Sequence, residues 1–181
     1  MSIYRDLGCT SANLMPGDVG FYEGNGVISQ LIEEWEPGAP VADDPGFTPS
    51  HVFIVFSESA PCHVIEADAQ GMAQIVDGAP YLRAAALGLV RFFRPDAPLA
   101  QKEAALAWFV TKYAGRPYGW ANLLAFWIQS VFGLAHAPWR LGDVCSQTAW
   151  IILDHLGVKF VDTILERDCT PAKLFAWAVK G

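Results

Sequence analysis

Cys145 stands in the run RLGDVCSQTAWIILDHLG. Asp143 is a good N-cap residue, which predicts a helix opening just after it with Cys145 in the first turn. A helix N-terminus carries partial positive charge and N–H groups without intrahelical partners. Both favour a thiolate, where a free thiol ionises near pH ~8.5. The same N–H groups can donate to the oxygen of an attacked carbonyl. A cysteine there has the setting of a nucleophile; the alternative is a small buried side chain, since free cysteine is commonly buried. His51 opens the run HVFIVFS. A thiol nucleophile needs a base within hydrogen-bond reach, and a histidine at a strand end is both rigidly held and more exposed than one in mid-strand. Its alternative is a histidine satisfied by backbone at a loop–strand junction. Glu66 ends the apolar run VIEA, where a carboxylate is normally avoided. On an adjacent antiparallel strand it can lie near His51 and fix the tautomer and orientation of the imidazole, the third role in a triad. Its alternative is a solvated strand end.

The remaining histidines and cysteines are weaker candidates. His63 alternates with Glu66 in the pleat, so the two point to opposite faces. Cys62 shares the face of Glu66, but no helix terminus activates it. His155 lies in the last turn of the helix begun near Cys145, a favourable place for a cation. His136 lies in a loop without an evident partner. Cys9 and Cys169 have no visible charge partner. A metal site from His51, Cys62 and His63 would have poor geometry, so no metal is expected.

The elements that must position these residues are legible in outline. Asp18 to Tyr22 reads as a short strand after the turn Pro16-Gly17. Val27 to Trp35 repeats apolar residues at helical spacing. Glu36 to Ser50 is a loop with four prolines that ends directly before His51; a loop this long in a compact domain is usually functional or mobile. His51 to Ser57 is rich in β-branched and aromatic residues and predicts a buried strand. Cys62 to Ala67 predicts its neighbour, Gln74 to Val76 a third short strand, and Leu87 to Phe93 a fourth. Beyond Pro95 the pattern turns helical: Leu99 to Tyr113, Trp120 to Phe132, Val144 to Leu156, and a last helix from Thr170-Pro171 through Ala178, with Thr as cap and Pro at the first helical position. Strands in the first half and helices in the second predict an α+β domain, an antiparallel sheet packed against helices.

Composition narrows the class of function. The 181 residues fit one domain, 1–181, with ample core. Hydrophobic residues make up 52% and charged residues 17%, which excludes disorder. With a net charge of −7 and scattered Lys and Arg, no nucleic-acid partner and no charge-driven adhesion to anionic lipid are expected. Four cysteines without a CxxC pair give no support to zinc-ribbon or thioredoxin chemistry, and reduced thiols are expected because a core this large needs no disulfides. The start MSIYRDLGCTSANLMPGD does not read as a signal peptide. Ala121 to Leu134 is too short and too polar for a transmembrane helix and reads as a buried one. A cytoplasmic protein, or part of a phage or secreted assembly exported by another route, is the corresponding expectation.

Taken together in chain order, these segments resemble the circularly permuted branch of the NlpC-type cysteine hydrolases, relatives of papain. The elements that carry the resemblance are Pro16-Gly17-Asp18-Val19, Ser50-His51-Val52, Val64-Ile65-Glu66-Ala67, Val144-Cys145-Ser146, the stretch YAGRPYGW from Tyr113 to Trp120, and Cys169-Thr170-Pro171. They extend from Pro16 to Trp177. Each is common alone; their conjunction is not. Gln147 departs from the pattern, since an acidic residue is frequent after Cys-Ser in relatives. The resemblance implies a papain-like fold and a Cys145–His51–Glu66 triad, with acyl transfer through a thioester and no cofactor. Tyr118 is then a candidate for the second oxyanion donor or for lining the groove, or packs under the helix that follows.

Three functions follow from that family. The first is an amidase or peptidase acting on a peptidoglycan-type peptide. The second is a lipid acyl hydrolase or acyltransferase, resembling the lecithin:retinol acyltransferase group, with the apolar Ala121 to Trp139 region sheltering an acyl chain. The third is a silent binding or structural module on the same fold, such as a phage-particle component. A retained Cys-His-Glu set favours an enzyme.

Overall fold

The structure is a computed structural model that describes residues 4–8, 13–24, 47–57, 61–68, 71–117, 128, 145–158 and 169–180. The expected helix Val27–Trp35, most of the Pro-rich loop, most of the helix Trp120–Phe132, and Cys9, Tyr118, His136 and Asp143 lie outside the described residues.

The β-branched and aromatic run from His51 forms the strand expected of it. Six strands, β1 (Tyr4–Gly8), β2 (Val19–Tyr22), β3 (His51–Ser57), β4 (His63–Asp68), β5 (Gly71–Asp77) and β6 (Val90–Pro95), make one sheet in the order β1-β6-β2-β3-β4-β5. Every neighbouring pair is antiparallel. Four helices lie among the described residues: α1 (Ala79–Ala86), α2 (Leu99–Tyr113), α3 (Cys145–His155) and α4 (Pro171–Lys180). The architecture is α+β, as the segregation of patterns predicts. Among the described residues no helix is long and apolar enough to cross a membrane.

Side chains alternate between the two faces of a strand, and β3 shows why its sequence is apolar throughout. Val52 and Ile54 enter a large core with Phe21, Ile65 and Phe93 and with residues of α2, α3 and α4, including Phe109, Ile152 and Phe175. Phe53 and Val55 enter a smaller core on the other side, with Val64, Val90, Phe92 and Ala85 of α1. Both faces of β3 are covered, so no polar alternation is possible.

The turn before β2 ties three strands together. Gly17 has φ +86°, a conformation that glycine adopts without the penalty a side chain carries. Its N–H donates to the Val55 carbonyl at 2.8 Å, and Val55 N–H returns a bond to the Asp18 carbonyl at 2.8 Å. The fully buried Asp18 carboxylate accepts two bonds from Arg94 of β6, at 2.8 and 2.7 Å, and one from Met15 N–H at 2.8 Å. The Gly-Asp element is thus a structural anchor for β2, β3 and β6.

Two expected boundaries are corrected. Leu87 does not start a strand. Pro80 near its first position opens the helix α1, Leu87 caps that helix with its N–H on the Ala84 carbonyl at 3.0 Å, and Gly88 at φ +78° turns the chain, so β6 begins at Val90. The short strand expected at 74–76 runs over Gly71–Asp77, because β5 pairs along nearly all of β4.

Candidate active site

The site grows out of the β3–β4 ladder. Ile54 pairs with Ile65 and Val55 with Val64. Counting back along that register puts Phe53 opposite Glu66 and His51 two residues further on the same face. That is a diagonal pair, within reach of long side chains. His51 Nε2 donates to Glu66 Oε2 at 2.8 Å, with both side chains largely buried. Ser50 anchors the chain directly before His51: its N–H donates to the Tyr22 carbonyl at 3.0 Å, and its buried hydroxyl accepts from Gly24 N–H at 3.0 Å.

Cys145 arrives from the second half of the chain at the first described position of α3. The body of α3 packs in the large core through Ala149, Ile152 and Leu153. Cys145 nevertheless meets His51 side chain to side chain, by hydrogen bond and by charge. Since Nε2 is taken by Glu66, Nδ1 is the ring nitrogen left for the thiol. The next residue fixes this helix end. Ser146, fully buried, donates from Oγ to the Cys169 carbonyl at 2.7 Å, and the Cys169 thiol donates back to the Ser146 carbonyl at 3.6 Å. Cys169 precedes the cap of α4, where Thr170 Oγ1 accepts from Lys173 N–H at 3.3 Å.

Three ionisable groups are shifted by this arrangement. Burial pulls the His51 imidazole down, but the Cys145 charge and hydrogen bond, followed by those of Glu66, push it up to about 10. Burial pushes the Glu66 carboxyl up, but the bond and charge of His51 and the Tyr81 hydroxyl outweigh it and hold the group below its ordinary value. Burial and the Glu66 carboxylate drive the Tyr81 phenol far above its usual range, so it remains a donor. An ionised Glu66 accepts only, so the His51 nitrogen that faces it, Nε2, carries a proton. The set therefore favours a charged imidazolium at His51, beside the Glu66 carboxylate.

Tyr81, on α1, was not among the residues singled out from the sequence. Its hydroxyl donates to the same Glu66 oxygen that His51 uses. Its ring lies nearly parallel to His51, 15° apart with centroids at 6.1 Å, and stacks on Phe53 at 4.0 Å. Phe53 owes its place to Gly20 on β2: a Cβ at Gly20 would lie 2.1 Å from Phe53 Cζ, a severe clash. A glycine inside an apolar strand signals close approach of another group, and it was the one sequence signal pointing to this stack.

The structure brings Cys145, His51 and Glu66 together. It turns the other described candidates away. His63 Nδ1 pairs with Ser57 Oγ at 3.3 Å. Cys62 packs on the smaller core, and burial followed by the Asp77 charge pushes its thiol up, the opposite of activation. His155 occupies the last turn of α3 as expected, with its ring flat on Trp108 at 3.8 Å. Cys62, Cys145 and Cys169 are free thiols. Among the described residues no group of three or more His, Cys, Asp or Glu is arranged to hold a metal ion. No protein-family model matches the chain, and no curated protein matches it.

Proposed function

We propose that the protein is a cysteine hydrolase of the permuted papain-like kind, cleaving an amide bond, with a peptide of the peptidoglycan type as the substrate class that the family resemblance implies. The observation that carries this reading is His51 held between the Glu66 carboxylate and the Cys145 side chain. In the proposed reaction the Cys145 thiolate attacks the carbonyl carbon, and the Cys145 backbone N–H donates to the resulting oxyanion. The C–N bond breaks as the His51 imidazolium gives its proton to the departing amine. Water then attacks the thioester; His51 takes one of its protons, the acid product leaves, and the thiolate–imidazolium pair is restored. Glu66 keeps the imidazole oriented throughout.

Alkylation of Cys145 by iodoacetamide, followed by mass spectrometry across pH in the wild type and in His51→Ala, tests the pair. Cys145 is expected to react well below pH ~8.5, the range of a free thiol, and to lose that reactivity without His51. A Cys145 that reacts no faster than Cys62 or Cys169, or equally in both proteins, overturns the reading. Hydrolysis of cell-wall peptides against lipid esters then separates amidase from lipid acyl hydrolase.

A further inference from the structure

Four groups converge on one oxygen or on the ring beside it. Glu66 Oε2 accepts from His51 Nε2 and from the Tyr81 hydroxyl. The Tyr81 ring is braced on one side by Phe53, which Gly20 admits, and by the edge of Tyr22 at 5.7 Å. A carboxylate with one donor can rotate about its last side-chain bond and carry the imidazole with it. A second donor on the same oxygen, mounted on a packed ring, removes that freedom.

We infer that Tyr81 is a positioning residue of this site, fixing the Glu66 carboxylate and through it the ring of His51. The inference rests on the hydrolase reading for its functional meaning, but its structural half stands without it. Tyr81 touches neither the attacked carbonyl nor the leaving group in this scheme. Its role is to hold the acceptor that holds the base. The phenol suits the task better than a second charged donor: it supplies one hydrogen bond, stays neutral, and leaves the charge of Glu66 for the imidazolium.

Tyr81→Phe keeps the ring stack and removes only the hydroxyl, so folding is preserved and can be checked by circular dichroism. Two readouts apply. Carbon NMR of the Glu66 carboxyl is expected to show its titration moving to higher pH, because a hydrogen bond to the charged form has been lost. The alkylation rate of Cys145 at neutral pH is expected to fall about 3- to 10-fold, the size of one hydrogen bond, with less than a twofold (~) further change when the substitution is made in Glu66→Gln. An unmoved Glu66 titration, or an equal rate loss in the Glu66→Gln background, overturns the inference. If wild-type Cys145 has no His51-dependent reactivity, the hydrolase reading fails by itself, and the Glu66 titration still decides whether Tyr81 holds the carboxylate.

Discussion

The two faces of the sheet are built from different materials. One is covered by α2, α3 and α4 and is filled with side chains such as Ile54, Ile65, Leu106, Phe109, Ile152 and Phe175, all almost fully buried. The other is covered by the eight-residue α1 and carries a smaller apolar cluster that runs directly into Tyr81, Glu66 and His51. The first face does what a core does, removing apolar area from water at about 25 cal/mol per Å². The second uses rings as supports for groups that ionise. The lesson is a division of labour across one sheet. Stability resides mainly on the helix-rich face, and the geometry of the base is set on the thin one. Cys145, on a helix that belongs to the large core, interacts with His51 of the thin face.

Substitutions can break or sharpen this contrast. Ile152→Ala, at a fully buried position of the large core, is expected to cost about 2–5 kcal/mol of unfolding free energy, measured by denaturant titration. The pH dependence of Cys145 alkylation in the folded protein should stay as in wild type; a shifted profile would mean that the large core also tunes the base. Gly20→Ala is expected to cost less, about 1–3 kcal/mol from overpacking. Because the Phe53 ring must give way beneath Tyr81, it should also slow Cys145 alkylation, the reverse pattern. Loss of stability without loss of reactivity would detach Phe53 from the site. Smallest is Thr170→Ala, which removes a long cap bond from α4 and is expected to cost about 0.5–1 kcal/mol with unchanged reactivity. A slower Cys145 there would show that the start of α4, through Cys169 and Ser146, helps to hold the nucleophile in place.

How much of this was readable in the sequence depends on the range of the signal. The strand at His51, the helix Leu99–Tyr113, the helix opening at Pro171 and the described part of the helix at Cys145 follow local patterns, and each lies within about two residues of its expected bounds. His51 opens its strand as expected, whereas Glu66, expected at a strand end, lies inside β4; it was the family resemblance, not a local signal, that joined Cys145, His51 and Glu66. α1 was not legible, because its eight residues, APYLRAAA, span only about two turns and the following LGLVRFF looks like a strand from its first residue. β1 was not legible either: YRDLG has no apolar alternation, and it is a strand because β6 offers it an edge. Tyr81 was hidden with its helix. Nothing local marks a tyrosine whose partner is a glutamate fifteen residues earlier on another element.

The spacing of the base and its acid carries a consequence for the order of assembly. His51 and Glu66 are fifteen residues apart in a hairpin, a contact with a small loop-closure cost. Cys145 joins them only through a long-range contact from the other half of the chain. During synthesis, at roughly 5–20 residues per second, the imidazole–carboxylate pair can close while the cysteine is still unmade. The thiol is therefore the last of the three to be seated. The three side chains therefore meet only when the second half has folded onto the first.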